Sequence, residues 1–385
     1  MEKLRDKKDV IEFVEKNNVK FIRLWFTDIL GQLKSFAITS EELDTAFDEG
    51  MGFDGSSIKG YARIDESDMI AKPDPSTFQI LPWRPKEKAV ARMFCDVLNP
   101  DGTPYEGDPR YALRRNLQRL KEHGFTLYLG PELEFFYFDA EASVMADSVM
   151  TYRIVVKEIA SKYGCFATFM PKPIFGQNGS GMHTHQSLFK GDRNAFFDPK
   201  DKYYLSDIAK KYIAGLLRHA PEITAVCNQW VNSYKRLVPG YEAPVYIAWA
   251  RRNRSALVRV PLYKPGKEKA TRIELRSPDP SCNPYLAFSV MLAAGLEGIE
   301  KNYELPEPVE KDIYHLTEEE KHQLGIKSLP GSLIEAIEIA EKSDVVRKAL
   351  GDHIFNNFIE NKKIEWDNYR IKIHPYEIER YLPIL

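Results

Sequence analysis

The chain has little that would tie it to a membrane, a nucleic acid or an oxidising compartment. Only four of its 385 residues are cysteine, Cys95, Cys165, Cys227 and Cys282, and no two form a C-x-x-C pair. That spacing argues against a zinc ribbon or a disulfide framework, and a reducing cytoplasm is the expected home. Net charge is nearly absent too, with 54 basic residues against 56 acidic ones. No overall field recruits nucleic acid or an anionic membrane surface. The longest apolar runs, such as "YLAFSVMLAAGL", fall short of a membrane span, and the N-terminus "MEKLRDKKDV" is charged throughout. A soluble, unprocessed protein is expected. Phosphate-binding loops are also missing: there is no G-x-x-x-x-G-K-[ST], and "GQNGSG" does not match G-x-G-x-x-G. Internal repeats, low-complexity tracts and long flexible linkers are likewise not found.

What is there is a globular composition, 43% hydrophobic and 29% charged, in a length that suits one large domain or two unequal ones. Residues 1 to about 105 carry short strand-like runs, "VKFIRLWFTD", "GQLKSFAI", "TFQILPW" and "AVARMFCDV", between loops rich in Gly, Asp and Pro. They predict a small mixed-sheet domain. "DPRYALRRNLQRLKEHGF" then opens on Asp-Pro, holds apolar residues at helical spacing and closes on Gly124, the signals of a capped helix. Residues 106 to 385 alternate strand-like runs, "FTLYLGPELEFFYF", "CFATFMPKP" and "ATRIELRSPD", with helical ones, "VMTYRIVVKEIASKY" and "DIAKKYIAGLLRHA". The prediction is an α+β body with a helical C-terminal third. The last segment, "DHIFNNFIENKKIEWDNYRIKIHPYEIERYLPIL", has too many apolar residues for a solvated tail and is expected to pack on its own domain or on another subunit.

Three of the strand-like runs place polar residues on alternate positions. Glu132 and Glu134 in "GPELEFF", His183 and His185 in "GMHTHQS", and Arg272, Glu274 and Arg276 in "TRIELRS" each point to one side of a strand, with Leu133, Phe135, Ile273 and Leu275 on the other. Any one such pair is ordinarily a solvated face. Three of them, containing paired glutamates and histidines, describe a sheet bent around a charged cavity. Carboxylates with imidazoles suit Mg²⁺ or Mn²⁺, and also Zn²⁺. A further stretch, "YKRLVPGYEAPVYIAWARRNRSALVRV", packs in Arg236, Arg251, Arg252, Arg254 and Arg259. Guanidinium groups grip carboxylate and phosphate in bidentate fashion, and divalent metal plus several arginines points to a nucleotide held by side chains and metal.

In order and spacing, "FDGSSIKGYARIDESD", "GPELEFF", "ATFMPKPIFGQNGSGMHTHQSL", "NSYKRLVPGYEAPVYIAWARRNRSALVRVP" and "RIELRSPDPSCNPYLAFSVMLAAGLEGI" resemble type I glutamine synthetases over nearly the whole chain. The resemblance implies a small β-grasp-like N-terminal domain and a large catalytic domain with a curved antiparallel sheet and flanking helices. It implies ATP-dependent ligation of ammonia to the γ-carboxylate of L-glutamate through γ-glutamyl phosphate, with Mg²⁺ or Mn²⁺. It further implies a homo-oligomer of two hexameric rings whose active sites lie between subunits, the last helix inserting into the opposite ring. Carried over by position, Glu132, His183 and Glu274 would form one metal site, and Glu134 would belong to a second. His185, Ser187, Arg259, Lys269 and Arg272 would face the nucleotide, while Asn178, Gly179, Arg236 and Arg276 would hold the amino acid. Arg254 would stabilise the transferring phosphoryl group. Asp54, from the adjacent subunit, would help deprotonate ammonium, and Glu242 would close over the site and accept a proton. Taken alone, Asp54, His185 and Glu242 have ordinary readings as a turn residue, a structural histidine and a loop carboxylate; the linked motifs reverse them. Arg63 matches an arginine tied to glutamine feedback in a subgroup that is not adenylylated, and in that context Tyr314 is read as an ordinary exposed tyrosine.

One departure from the family pattern is large. After "GPELEFFYFD" the family runs through a strand and helix into H-H-E-V-A-x-G-Q-H-E before the "ALxxADNVMTYK" helix, whereas here "FFYFDAEASVMADSVMTYR" passes directly from one to the other. With that segment go two carboxylates of the second metal site. Either the molecule carries the segment beyond the 385 residues of this chain, or it is deleted after Asp139 and would leave sheet edges exposed. The intact flanking motifs point to the former and to an active ligase; the latter describes a catalytically inactive or regulatory assembly protein of the same fold.

Overall fold

In the computed structural model the described residues are 6–55, 68–84, 87–133, 140–239, 243–251, 253, 255–262 and 265–385. The chain begins with α1 (Lys7–Lys16), β1 (Phe21–Thr27), β2 (Leu33–Thr39), α2 (Leu43–Asp48), β3 (Met51–Asp54), β4 (Asp68–Pro73), β5 (Gln79–Ile80) and β6 (Val90–Leu98). These strands make one sheet in the order β2-β1-β6-β4-β3, with β5 on β6. β1 and β6 run parallel, Phe21 opposite Val90, and the other pairs are antiparallel. Val10 and Val14 of α1 are buried against Ile22, Leu24 and Ala91 of the sheet. At about 1.5–3 kcal/mol for each fully buried large apolar side chain, that face holds α1 in place.

The chain continues through α3 (Pro109–Glu122), β7 (Thr126–Leu133), β8 (Ala140–Glu141), α4 (Ala142–Lys162), β9 (Met182–Lys190), β10 (Arg193–Asn194), α5 (Asp207–Cys227), α6 (Ser233–Arg236), β11 (Tyr246–Ala250), β12 (Ala256–Arg259) and β13 (Ile273–Leu275). It closes with α7 (Pro284–Glu300), α8 (Glu318–Gln323), β14 (Lys327–Ser328), α9 (Leu333–Ala340), α10 (Asp344–Leu350), α11 (Asp352–Arg370) and α12 (Pro375–Tyr381). The second sheet runs β14-β11-β12-β13-β9-β7-β8, with β10 on β9. It is antiparallel, as expected, except where β11 and β12 run parallel. α3 starts and stops where its capping signals place it. The Asp108 carboxylate accepts from the Arg110 N–H, Pro109 takes the first turn, and Gly124 adopts φ +76° just past the end.

α7 is apolar almost all round and is buried along most of its length, as a central helix must be. α5 packs on it closely, because a Cβ on Gly215 or Gly298 would overlap the backbone of the facing helix. Behind the sheet, the Tyr212 hydroxyl of α5 donates to Gln186 Oε1 of β9 at 2.7 Å. The two sheets are joined by charge and by amides. Arg110 bonds Asp74, Asp96 and Asp147, while Asn283 Nδ2 donates to the carbonyls of Asp28 and Ile29 at 3.2 and 3.0 Å.

Two expectations change. "CFATFMPKP" is not a strand: residues 165–170 run irregularly, and Phe166 stands 93% exposed. No strand among the described residues lies alongside to accept its backbone bonds, and without a ladder a strand-forming sequence has nothing to stay extended against. Tyr314 is half-buried rather than exposed, its hydroxyl donating to the Ala243 carbonyl at 2.6 Å. In the C-terminal segment α11 packs on its own domain through Ile354, Phe355, Phe358 and Ile359, but α12 buries nothing, and Ile373, Leu382 and Ile384 are exposed.

Candidate active site

Three adjacent strands bring the polar alternation to one place. Glu132 of β7 lies opposite His183 of β9, His185 opposite Glu274 of β13, and Glu274 opposite Arg259 of β12. The intervening residues Leu133, Thr184, Gln186, Ile273 and Leu275 are buried behind them, so period-two alternation becomes a division between core and site. Phe135 and Glu134 lie outside the described residues.

His183 Nδ1 lies 3.2 Å from Glu274 Oε1 and 3.9 Å from Glu132 Oε2, and His185 Nε2 lies 2.7 Å from Glu132 Oε1. One ligand atom each of Glu132, His185 and Glu274 falls within 4.8 Å of the others. Two carboxylates and an imidazole at that spacing fit a divalent cation with mixed oxygen and nitrogen ligands. Glu274 is almost fully enclosed. Burial opposes its ionisation, but the hydrogen bond from His183 and the charges of Arg259, His185 and His183 outweigh it, and its carboxyl lies below the ordinary value. Arg259 Nη2 reaches Glu274 Oε2 at 2.6 Å, and Arg276 Nε reaches Oε1 at 3.4 Å.

Around this centre the candidates fall into three groups. Ser187 shares the strand face of the two histidines, and Arg272 Nε donates to His185 Nδ1 at 3.2 Å. Lys269 sits in the short helix Glu268–Ala270, whose turn is held because Asn194 Nδ2 donates to the carbonyls of Lys269 and Thr271. On the other side, buried Arg236 donates to the carbonyls of Arg276, Ser277 and Pro278, so it braces the chain that leaves β13. Asn178 and Gly179 lie in the loop before β9. A Cβ on Gly179 would overlap the Pro171 carbonyl and come within 2.9 Å of Arg236 Cγ, so only glycine fits. Asp54 ends β3, in the other sheet. Arg63, Glu134, Glu242 and Arg254 lie outside the described residues.

Sequence reasoning passed over two asparagines that hold these loops. Asn194 is one. The other is Asn232, whose carboxamide accepts from Lys172 N at 2.8 Å and donates to Lys172 O at 3.1 Å, while the neighbouring Pro171 carbonyl accepts from Ser180 N at 2.8 Å. Asn232 thereby clamps the base of the loop carrying Asn178 and Gly179. Its place inside the "NSYKRL" motif was visible, but its partner lies 60 residues away and left no local signal.

Comparison with known proteins bears on the whole chain. Residues 18–100 match the family description "Glutamine synthetase, beta-Grasp domain", and residues 106–145 and 140–381 match "Glutamine synthetase, catalytic domain". The chain is 48% identical to a glutamine synthetase of Mycolicibacterium smegmatis over 444 aligned positions, covering 99% of this chain and 100% of that one. It is 46% identical to one of Methanosarcina mazei, covering 100% and 99%. Among solved structures, a GmaS complex with ADP superposes with a TM-score of 0.89 at 28% identity, covering 99% of this chain and 100% of that one. The fold also matches Plasmodium falciparum glutamine synthetase, with a TM-score of 0.87 at 20% identity and 98% of each chain covered. The 444 positions aligned with the mycobacterial protein exceed the 385 residues here by 59, so at least that many of them have no counterpart in this chain. The two catalytic-domain matches meet at residues 140–145, directly after Asp139.

Proposed function

The chain belongs to the glutamine synthetase family, and on that premise we propose that it ligates ammonia to the γ-carboxylate of L-glutamate at the expense of ATP. The observation that carries this reading is the convergence of Glu132, His183, His185 and Glu274 from three strands, flanked by Arg259, Arg272 and Arg276. In the proposed reaction the γ-phosphoryl group of ATP passes to the glutamate γ-carboxylate, leaving ADP, and ammonia then displaces phosphate from γ-glutamyl phosphate to give glutamine. A divalent ion, Mg²⁺ or Mn²⁺, would be held by Glu132, His183 and Glu274, with Glu134 belonging to a second site, and would neutralise the phosphoryl oxygens.

Arg259, Arg272, Lys269, His185 and Ser187 would bind the nucleotide. Arg236 and Arg276 would hold the carboxylates of glutamate, with Asn178 and Gly179 receiving its backbone. Arg254 would meet the charge that develops on the transferring group. Asp54 would take a proton from ammonium, and Glu242 would cover the site and accept one from the attacked intermediate. Asp54's position in the N-terminal sheet suits delivery from an adjacent subunit. We place the division between the two domains near residue 105. The four free cysteines accord with a cytoplasmic setting, and no described helix is long and apolar enough to cross a membrane.

Phosphate release measured with each component left out in turn tests the reaction. Release only when glutamate, ammonium, ATP and Mg²⁺ or Mn²⁺ are all present is the expected result; silence in every combination would leave an inactive or regulatory assembly protein. For assembly we propose two hexameric rings, supported by the exposed apolar residues of 371–385. Truncation after Ile373 is expected to lower the mass seen by light scattering, and an unchanged mass would remove that support. Membership of the feedback-inhibited, non-adenylylated subgroup rests on Arg63, and Arg63→Ala is expected to lose inhibition by glutamine; full inhibition in the variant ends that assignment.

A further inference from the structure

We propose that buried Lys362 and its partner Glu365, both on α11, are positioning residues for the amino-acid side of the site: through the turn 230–233 they hold Asn232, and through Asn232 the loop that carries Asn178 and Gly179. The inference rests on the reading of that loop as the receiver of glutamate. It starts from an ammonium inside the protein. Lys362 is fully buried, yet its Nζ donates to Glu365 Oε2 at 2.7 Å and stands 3.8 Å from the centre of the Trp230 ring. A buried charge persists where it is paired, and an indole face is the best aromatic partner for a cation. The charge therefore fastens Trp230 to α11. The other oxygen of the same carboxylate, Glu365 Oε1, accepts a long hydrogen bond from the Val231 N–H at 3.5 Å. Ser233 closes the turn, its N–H donating to the Trp230 carbonyl at 2.9 Å and its hydroxyl accepting from the Trp230 N–H at 3.3 Å.

Asn232 leaves this turn with its carboxamide on Lys172, whose N–H and carbonyl it meets at 2.8 and 3.1 Å. Lys172 opens the loop. Its Nζ reaches across to the Gln177 carbonyl, and the Ser180 N–H closes on the Pro171 carbonyl at 2.8 Å. Arg236 depends on the same turn, because α6 is only four residues long and takes its direction from what precedes it. A Cβ on Gly179 would stand 2.9 Å from Arg236 Cγ, so the loop and α6 meet face to face. Trp230 also braces the chain beyond Arg276, its Nε1 donating to the Ser281 carbonyl at 3.1 Å. The nucleotide side has another support, in which Asn194 holds the turn through the carbonyls of Lys269 and Thr271. Loosening α11 should therefore weaken glutamate binding and spare ATP.

The test measures KM for glutamate and for ATP, together with amide hydrogen exchange across residues 171–180, on the full chain. Lys362→Met keeps the apolar stem and removes the charge, and Asn232→Ala removes both bonds to Lys172. Each is expected to raise KM for glutamate about 2–30-fold, the range for residues that act on a site from outside it, while KM for ATP stays within about 2-fold. Exchange in 171–180 is expected to quicken in both. Because the two residues act along one path, the double variant should be no worse than the worse single one. Equal rises in both KM values, fully additive effects, or no rise at all would each overturn the inference. Glu365→Gln, which keeps one acceptor oxygen, is expected to give a smaller rise of the same kind, and it decides the matter if circular dichroism shows that Lys362→Met has not folded. A wild-type chain that releases no phosphate in the complete mixture overturns the glutamate reading and the KM claim with it; the exchange measurement then still upholds or refutes the hold of α11 on the loop.

Discussion

Arg110, between the two sheets, and Glu274, within the second, are about equally enclosed, at 4% and 1% exposure, and both are ringed by groups of opposite charge. Arg110 meets Asp74 at 2.7 Å, Asp96 at 2.6 Å and Asp147 at 3.1 Å. Arg114 also pairs with Asp74 and Asp96, and the Tyr285 hydroxyl donates to Asp147. The charged groups named in this cluster are arginines and aspartates, with Ser76 donating to Asp74 as the tyrosine does to Asp147, and each satisfies another. Around Glu274 and its neighbour Glu132 the partners include the imidazoles of His183 and His185, which can exchange a hydrogen bond for a bond to a metal. The junction cluster fastens two domains; the strand cluster can take up a ligand. Buried charge alone does not mark a site, and the presence of groups able to change partner does.

The largest effect that would separate the two clusters is expected at the junction. Arg110→Ala would leave Asp74, Asp96 and Asp147 facing one another without their shared cation, and breaking a buried ionic cluster costs about 3–5 kcal/mol. Urea unfolding measures it, and a loss under about 1 kcal/mol would show that Arg114 suffices. Glu132→Gln is the converse case. Glu132 is only half-buried, so stability is expected to stay within about 0.5 kcal/mol. Mn²⁺ affinity is expected to fall by more than the roughly 10–100-fold of an outer-shell change. Stability lost without affinity would make Glu132 a structural residue.

The smallest effect is a slope. Asp108, the cap of α3, is fully buried at the junction; desolvation, with Asp96 adding to it, pushes its carboxyl up from 3.8 to about 7. A folded value above the unfolded one means that its contribution is complete below 3.8 and is lost as pH rises towards about 7. Asp108→Asn removes that titration and should flatten the dependence of the urea midpoint on pH across this window. Its absolute stability will also shift, because the Val97 N–H loses an acceptor, so the slope and not the height is the measure. An unchanged slope would place the titration elsewhere.

Much of this was legible in the chain itself. The caps of α3, the helical runs of α4 and α5 and the two-residue alternation in "GPEL", "MHTH" and "RIELR" all correspond to observed elements. Each depends on residues a few positions apart. The failures were non-local. "CFATFMPKP" has a strand's composition but no strand beside it among the described residues, and Tyr314 gained cover from Tyr246 and the Ala243 carbonyl, about 70 residues earlier in the chain. Asp108 read as a helix cap and is one, but nothing nearby announced that the same carboxylate would be wholly buried.

By itself the sequence determined which residue types would share a strand face, and so that carboxylates, imidazoles and guanidiniums would stand together against an apolar back. Alternation is a property of the extended backbone and needs no knowledge of neighbours. Only the tertiary structure decided which of those groups meet. Glu132 and His185 are 53 residues apart, and Arg272 is a further 87 beyond His185. The register that sets one ring nitrogen against a guanidinium and the other against a carboxylate comes from how β7, β9 and β13 align. That alignment comes from long-range pairing and from the buried faces behind the strands, where β7 packs on α3 and α4 and Gln186 of β9 meets Tyr212 of α5 and Met291 of α7, and not from any local preference.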